Sequence, residues 1–277
     1  MLISEAYHNR QIVKISNKVK QHSEEKKQVR IILISGPSSS GKTTFASKLG
    51  IQLRLLGYVP TVLEVDMWFR DRADPEHPRD SKGNLNFEVI EAVKLKEFNE
   101  NLNTLLSGDK IKVPKFDFKT GSRAGYEKEA TSLDMDHGVL IMEGIFCLNP
   151  RLLEGVKDVD NISFKIFICP ISPFYALDNF HFISEQMIRL IRRISRDHFH
   201  RGHDATHTVF KWGQLKEGED ANIFPFVRHA DAVFNSSLLY EVSVLKTYSY
   251  PLLQTVKQTA KQYKDAQNII AFLDMFF

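Results

Sequence analysis

This sequence of 277 residues has few cysteines, a small net charge and no long apolar run. Its two cysteines, Cys147 and Cys169, each end an apolar run, which excludes a disulfide framework and predicts buried thiols in a reducing compartment. No apolar run approaches the ~20 residues of a transmembrane helix, and residues 1–27 do not resemble a secretory signal. A net charge of +3 is too small to indicate nucleic acid as a partner. We therefore expect a cytoplasmic protein with neither a membrane nor a nucleic-acid partner.

The stretch with the clearest chemistry is a glycine-rich loop whose sequence is GPSSSGKT, residues 36–43. It fits the P-loop pattern at every fixed position. An apolar run of strand length precedes it, and apolar residues at helical spacing follow it. Backbone N–H groups of such a loop bind phosphate oxygens, Lys42 adds a cation, and the Thr43 hydroxyl can bind Mg²⁺. The residues expected to hold a nucleoside triphosphate are Gly36, Ser38, Ser39, Ser40, Gly41, Lys42, Thr43 and Thr44.

Apolar strands alternate with amphipathic helical patterns along the chain. Strands are predicted over residues 29–35, 59–65, 139–142, 162–169 and 232–234, and helices over 6–19, 44–53, 87–106, 174–200 and 252–277. This alternation predicts an α/β protein of the P-loop NTPase type, with a parallel five-stranded sheet and helices on both faces. Residues 111–118 and 123–130 are expected to form a β-hairpin flap outside that sheet.

Two acidic residues follow strands of the predicted sheet, at the edge where open α/β sheets bind ligands. Glu143 follows the strand 139–142 as a Walker-B carboxylate does, so we expect it to hold Mg²⁺ directly or through water. Asp66 follows the second strand and fits two roles. It can accept a proton from an attacking hydroxyl and support the Mg²⁺ shell, or it can cap the segment that follows. The residues alone leave both roles open.

A basic stretch, RLIRRISRDHFHRG, supplies five arginines: Arg189, Arg192, Arg193, Arg196 and Arg201. The first four share a helix face by their spacing. Arginines on a lid that closes over a nucleotide stabilise the charge of the transferred phosphoryl group. A solvated basic face is one alternative, and an RNA-binding patch is a weaker one because flanking aromatics are few. The four histidines within residues 198–207 match no standard zinc motif and are expected on the lid surface.

Several of these segments occur together in one known family. They are GPSSSGKTT from Gly36, VDMWFR from Val65, NFE from Asn86, VPKFDFKTGSR from Val113, EGI from Glu143, RRISRDHFHRG from Arg192 and NIFPF from Asn222. In order and spacing, over about residues 31–253, the chain resembles the phosphoribulokinase/uridine kinase family of P-loop kinases, most closely its uridine kinase-like nucleoside kinases. On this basis residues 1–28 are expected to be an N-terminal helical extension and residues 29–277 a P-loop kinase domain, with a flap at about 109–133 and a helical arginine lid at about 189–220.

The resemblance implies roles position by position. Asp66 matches the general base that faces the ribose 5′-hydroxyl near Mg²⁺, and Glu88 stands where uridine kinases use an aspartate to bind ribose hydroxyls. Phe116 and Phe118 match flap aromatics that stack on the base. The lid residues that it implies as contacts of the phosphates and the acceptor are Arg193, Arg196 and Arg201.

Two positions depart from the family pattern. Gly121 stands where uridine kinases commonly carry a flap histidine that contacts the pyrimidine, and His203 stands where a lid arginine is common. The glycine-containing flap and the NIFPF stretch resemble a bacterial-type branch in which the kinase domain follows a TGS and synthetase-like region. The phosphoryl-transfer residues match throughout, so the departures concern recognition of the base.

The expected activity is ATP- and Mg²⁺-dependent phosphorylation of uridine or cytidine at the 5′-hydroxyl, giving the monophosphate and ADP. The catalytic residues would be Asp66, Lys42, Arg193 and Arg196, and the metal would lie at Thr43, Glu143 and Asp66. A kinase of another small alcohol, such as a sugar phosphate or a vitamin precursor, is an alternative that a basic acceptor pocket would favour. A nucleotide-binding regulatory protein with weak catalysis is another. A homo-oligomer is compatible with each of them.

Overall fold

A five-stranded parallel sheet forms the centre of the computed structural model, which describes residues 1–171, 175–176, 181–182 and 184–276. The strands, in chain order, are β1 (Ile31–Ser35), β2 (Val59–Glu64), β3 (Pro114–Asp117), β4 (Ser122–Tyr126), β5 (Gly138–Glu143), β6 (Ser163–Cys169), β7 (Tyr175–Ala176), β8 (His181–Phe182) and β9 (Ala232–Asn235). The main sheet has the order β2-β5-β1-β6-β9, with parallel pairing throughout. The predicted P-loop type of α/β sheet is confirmed.

Helices cover both faces of this sheet. They are α1 (Leu2–Glu25), α2 (Lys42–Leu55), α3 (Leu95–Leu106), α4 (Val159–Ile162), α5 (Glu185–Arg196), α6 (Ala205–Asn222), α7 (Glu241–Gln254) and α8 (Tyr263–Leu273). Outside the main sheet, β3 and β4 form the antiparallel hairpin expected for the flap, and β7 pairs with β8. None of the helices in the described part of the chain is both long and apolar enough to cross a bilayer.

The central strand β1 is buried along its whole length and separates two cores. Ile31 and Leu33 pack toward α3 on one face, whereas Ile32 and Ile34 pack toward α1 and α2 on the other. This alternation follows from the two-residue period of a strand. A third core joins α5, α6, α7 and α8 beside the sheet. The carboxyl ends of the strands are therefore fixed by packing from both sides.

The N-terminal helix α1 is longer than the segment 6–19 predicted for it. Its buried residues Ile12, Ile15 and Val19 join the core formed by α2 and the sheet. Each buried aliphatic side chain of this kind contributes about 1.5–3 kcal/mol. The division of the chain at residue 28 stays a prediction.

The predicted helix over residues 87–106 is wrong in its first half. Residues Ile90–Ala92 form a single 3₁₀ turn, and α3 begins only at Leu95. The backbone before it is bonded elsewhere: Arg70 N donates to Ala92 O at 2.7 Å, and Lys94 N donates to Trp68 O at 2.9 Å. These tertiary bonds take the groups that an α-helix would need, so local periodicity misplaced the start.

The predicted helix over residues 174–200 is also too long. Residues 175–176 and 181–182 are extended, and α5 begins after Ser184, whose hydroxyl accepts a hydrogen bond from Gln186 N at 3.1 Å. Residues 172–174, 177–180 and 183 lie outside the described residues. Beyond α5 the helix widens to a π segment, Asp197–Arg201.

The C-terminal prediction, one helix over residues 252–277, is corrected to two helices. Helix α7 ends at Gln254, and α8 covers Tyr263–Leu273 after a non-helical stretch. The two helices pack together in the third core, which explains the apolar periodicity on both sides of the break. Phe277 lies outside the described residues.

Candidate active site

The P-loop connects β1 to α2. A close contact at one of its glycines and the backbone angle of the other explain why both are glycine. A Cβ at Gly36 would lie 2.0 Å from Ile168 O, so no side chain fits between the loop and β6. Gly41 has φ +92° and Ser39 has φ +61°, both in the left-handed region. Such conformations occur in backbone nests that bind anions. The loop thus has the shape that phosphate binding requires.

The two functional side chains at the end of the P-loop already have partners. Lys42 Nζ donates hydrogen bonds to the carbonyl oxygens of Gly36 at 2.9 Å and Pro37 at 3.3 Å. Thr43 Oγ1 donates to Glu143 Oε1 at the end of β5. A hydroxyl and a carboxylate side by side offer the hard oxygen ligands that Mg²⁺ prefers, so this pair fits the predicted metal site.

A second carboxylate, Glu64, stands beside Glu143. The two residues end β2 and β5 and are direct partners in the parallel register. Burial raises the pKa of Glu64, and the charges of Glu143 and Asp66 raise it further. Among the described residues no three His, Cys, Asp or Glu side chains form a metal cage. A kinase Mg²⁺ does not need one, because it keeps waters and binds substrate phosphates.

Asp66 lies in a 3₁₀ turn, Val65–Trp68, that follows β2. The N-cap of this turn is Glu64, so Asp66 does not have the capping role that the sequence left open. Burial raises the pKa of Asp66 to about 6, and Glu143 adds to the effect, while Lys42 and Arg201 oppose it. At neutral pH the carboxylate is mostly ionised and can accept a proton.

The lid arginines are organised around one buried carboxylate, Asp197, which is 2% exposed. Its oxygens lie 3.1 Å from Arg193 Nε, 2.9 Å from Arg196 Nη2 and 3.9 Å from Arg201 Nη1. Burial lowers the pKa of Arg196 to about 10, and the charges of Arg201 and Arg193 add to this. A pKa of about 10 still leaves Arg196 charged at neutral pH. Asp197 is the counter-charge that lets the three arginines cluster.

The other two arginines of the predicted lid face bind protein groups instead. Arg192 donates to Glu241 Oε2 at 2.7 Å and to Ser39 O at 3.2 Å, which joins the P-loop to α7. Arg189 is fully buried and donates to both oxygens of Glu219, at 2.6 and 2.7 Å. Arg189 therefore does not lie on the lid face that the spacing predicts, because its side chain is fully buried. Arg192 stays next to the P-loop, and its predicted role in the lid stays a prediction.

Glu219 also reaches the P-loop directly. Its Oε1 accepts a hydrogen bond from Ser38 N at 3.0 Å. Arg193 Nη1 donates to Ser38 Oγ at 2.6 Å, so α5 and α6 both hold this residue. A shift of either helix would therefore displace Ser38, which lies in the loop that is expected to bind the nucleotide.

Glu88 faces the same region from the other side. Burial raises the pKa of Glu88 to about 7, and the charge of Arg193 opposes this effect. On α6, Gly218 lies so close that an added Cβ would meet Glu88 Cβ at 2.3 Å. Glu88 can therefore occupy this position only because residue 218 has no side chain.

The flap aromatics differ in how far they reach the site. Phe116 is only 8% exposed and packs its ring edge-on to Phe69, with centroids 6.0 Å apart. Phe118 packs on Phe116 and is less buried. The guanidinium of Arg201 lies over its ring, 4.7 Å from the centroid. Phe118 is thus the aromatic that joins flap and lid.

At the flap turn, Gly121 has φ +68° and a cation lies against it. A Cβ at this position would meet Arg72 Nε at 2.2 Å, and Arg72 N donates to Gly121 O at 2.9 Å. Arg72 thus covers Gly121, the position where uridine kinases commonly carry a flap histidine.

Two cavities adjoin at these residues. The P-loop cavity, of about 580 Å³, is lined by the loop, Glu64, Glu143 and Arg196. The flap cavity, of about 610 Å³, is lined by Glu88, Phe116 and Arg193 among others. The residues common to both are Ser38, Asp66, Phe118, Ile145 and Arg201. Every predicted site residue lines one of the two cavities except Gly36 and Ser40, whose side-chain positions are buried in the loop.

Sequence reasoning missed four residues of this site. Glu64 carried a detectable signal, because it ends a strand beside the expected ligand edge. Asp197 lies within the quoted arginine stretch, but a carboxylate among arginines does not reveal its burial. The other two are Glu219, which is 181 residues from its P-loop partner, and Arg72. Contacts at such separations leave no local pattern.

Comparison with known proteins gives the family. The model of the phosphoribulokinase / uridine kinase family matches residues 31–243. The chain belongs to that family and has the fold and the nucleotide-binding loop of an ATP-dependent small-molecule kinase.

The relatives are distant. Uridine-cytidine kinase A of Dictyostelium discoideum is 26% identical over 204 residues, which is 73% of this chain and 35% of that protein. A uridine kinase of Staphylococcus aureus is 26% identical over 208 residues, 75% of this chain and 87% of that protein. A solved structure of a possible uridine kinase from Bacillus stearothermophilus aligns with a TM-score of 0.47 and 20% identity, covering 81% of this chain and 98% of that one. The chain thus spans about a third of the first relative's length.

Proposed function

We propose that the protein transfers the γ-phosphoryl group of ATP to the 5′-hydroxyl of a nucleoside, uridine or cytidine, and releases ADP and the nucleoside monophosphate. The observation that carries this proposal is the junction of the two cavities at Asp66. One cavity contains the P-loop, and the other contains Glu88 and the flap. A donor in the first and an acceptor in the second would face each other across a carboxylate with a pKa of about 6.

In this proposal the P-loop holds ATP. The backbone N–H groups of the loop bind the phosphates, and Lys42 leaves the carbonyls of Gly36 and Pro37 to contact the outer phosphates. Thr43 and Glu143 would hold Mg²⁺, which neutralises charge on the phosphate oxygens. Asp66 is the third acidic group near that position.

The transfer itself needs a base and positive charge. Asp66 accepts the proton of the attacking hydroxyl, which raises the nucleophilicity of the oxygen. Arg193, Arg196 and Arg201 face the charge that develops on the phosphoryl oxygens. Because Asp197 already clusters these arginines, little reorganisation is needed when the lid closes. Closure also excludes water, which would otherwise compete as an acceptor.

Recognition of the acceptor falls to Glu88 and the flap. A carboxyl group with a pKa near 7 can both donate and accept hydrogen bonds to sugar hydroxyls. Phe118 offers a ring face beside the shared junction, and Phe116 supports it from behind. The names of the relatives, uridine and uridine-cytidine kinases, support a nucleoside acceptor.

The test is ADP release with ATP and Mg²⁺ across a panel of nucleosides and other alcohols. Uridine or cytidine should raise the rate well above the water background, and the Asp66→Asn variant should abolish the increase while ATP still binds. If no nucleoside raises ADP release, the proposed acceptor is wrong. If only non-nucleoside alcohols do, the kinase assignment stands with a different acceptor.

A further inference from the structure

The lining of the P-loop cavity changes in character from one edge of the sheet to the other. Toward β2 and β5 it carries the carboxylates Glu64, Asp66 and Glu143, which suit a metal ion and phosphates. Toward β9, at the opposite edge, five apolar or aromatic side chains line the cavity: His8, Ile12, Phe45, Phe234 and Leu238. The phosphates of the proposed donor account for the first side and leave the second side without a ligand group.

Two of these side chains belong to the N-terminal helix α1. His8 and Ile12 are four residues apart, so they lie on the same face of the helix. Ile12 is 3% exposed and joins the core that α2 and the sheet form, which fixes this face of α1 against the kinase fold. His8 is half-buried at the cavity wall. The helix expected to be an extension of the domain therefore contributes to the cavity that contains the P-loop.

The imidazole ring of His8 is held in one orientation. Its Nε2 lies 2.7 Å from Ser237 O, and because a carbonyl oxygen only accepts, Nε2 donates this hydrogen bond. The ring also packs edge-on to Phe234, with centroids 5.2 Å apart, and Phe234 in turn lies 4.6 Å from the ring of Phe45. Burial lowers the pKa of His8, so the ring is neutral at pH 7. A neutral ring fixed in this way is a suitable wall for the flat face of a nucleotide base.

Hydrogen bonds connect α1 to the P-loop through the segment that follows β9. Ser4 Oγ on α1 accepts a hydrogen bond from Leu239 N at 3.4 Å. Two residues further along, Glu241 accepts from Arg192 at 2.7 Å, and Arg192 also donates to Ser39 O in the P-loop at 3.2 Å. Arg192 and Glu241 line the cavity on this side, but each is neutralised by the other. The helix, the segment after β9 and the P-loop therefore form one connected wall.

We infer that α1 forms one wall of the subsite for the base of the donor nucleotide, and that His8 is the residue of this helix that touches the base. The inference rests on the proposed function, because it takes the P-loop to hold the phosphates of a nucleotide. The outer phosphates then lie toward Thr43 and Glu143, and the base lies toward β9 between aromatic side chains. The faces of a base are flat and largely apolar, which matches this lining.

The test is calorimetric binding of two probes to the full chain, each with Mg²⁺ and without an acceptor. ADP carries a base, whereas tripolyphosphate has only the phosphates. His8→Ala removes the ring and should weaken ADP binding about three- to tenfold, while the affinity for tripolyphosphate stays unchanged. Asn9→Ala is the matched control, because Asn9 is the exposed neighbour on α1 and lines neither cavity. It should leave the binding of both probes unchanged.

A second variant separates contact with the base from support of the fold. His8→Phe keeps a ring beside Phe234 and loses the bond to Ser237, so its affinity for ADP should be closer to the wild type than to His8→Ala. The inference is overturned if His8→Ala binds ADP as the wild type does, if it loses both probes equally, or if His8→Phe loses as much ADP affinity as His8→Ala. Neither probe requires an acceptor. The expected binding without any acceptor-stimulated ADP release would contradict the proposed function and leave the base subsite intact.

Discussion

The guanidinium of Arg201 lies 4.7 Å from the centre of the Phe118 ring and so connects the lid to the flap. The same arginine lies 3.9 Å from Asp197, which also holds Arg193 and Arg196. A cation over an aromatic face contributes about 0.5–2 kcal/mol, depending on its exposure to water. A ligand that contacts Phe118 would therefore also lie next to the arginine cluster held by Asp197.

Gly218 and Gly213 on α6 form a matched pair for testing the position of Glu88. Gly218→Ala should raise the KM of the acceptor, because the new Cβ would meet Glu88 Cβ at 2.3 Å and displace it. Gly213→Ala adds a methyl group with nothing within 4 Å of it. It should leave kinetics unchanged and stabilise the helix by up to about 1 kcal/mol. Steady-state kinetics and urea denaturation measure both; equal KM values for the two variants would contradict this account of Glu88.

The pKa of Asp66 predicts opposite pH effects on activity and on stability. Because the base must be ionised, kcat/KM for the acceptor should fall about tenfold per pH unit below pH 6. The folded pKa of about 6 exceeds the unfolded value of about 3.9, so the folded state binds this proton more tightly. The contribution of Asp66 to stability is therefore full below pH 4 and is lost as the pH rises through 6.

The variant Asp66→Asn separates these two effects. Its free energy of unfolding relative to the wild type should increase between pH 4 and 7, while its turnover is abolished. Urea denaturation at several pH values and a pH–rate profile measure them. A wild-type protein that becomes more stable than the variant over that interval would show that the carboxylate is not destabilised by burial.

The parts of the fold that follow from local pattern were predictable from the sequence. The apolar run of β1, the P-loop and the carboxylate at Glu143 each have a signature within a few residues. The start of α3 was not predictable, because its upstream backbone pairs with Trp68 and Arg70. The burial of Arg189 was not predictable either, because its partner Glu219 lies beside it only when α5 and α6 pack together. Helical spacing gives a face and does not say whether that face meets water, phosphate or a buried carboxylate.

Asp197 offers a direct test of the arginine cluster. Asp197→Asn keeps the side-chain shape and removes the charge that three arginines share, so mutual repulsion should spread them. We expect kcat to fall by about 10²–10³, as when an electrostatic group is removed from a transition state. Asp204→Asn is the control, because it lies at the N-cap of α6, where asparagine is an equally good cap. Steady-state turnover of both variants decides it, and comparable rates would mean that Asp197 does not position the arginines.

The buried pair of Arg189 and Glu219 should be the most sensitive polar contact for stability. Both side chains are at most 1% exposed, and Glu219 also accepts the hydrogen bond of Ser38 N. In Glu219→Gln the amide oxygen can still accept one hydrogen bond, but the NH₂ group would face a donor of Arg189 or Ser38. The charge of Arg189 is then buried without a counter-charge. Breaking a buried pair in this way costs about 3–5 kcal/mol.

Glu217 lies two residues away on the same helix and is exposed, so Glu217→Gln should change the free energy of unfolding by less than about 0.5 kcal/mol. Urea denaturation of the two variants gives the comparison, and ADP titration adds a second measurement. Because Ser38 loses an anionic acceptor, the P-loop of Glu219→Gln should also bind ADP more weakly than that of Glu217→Gln. Equal stability of the two variants would mean that Arg189 finds another partner. Equal ADP affinity would mean that the P-loop does not depend on α6 for its conformation.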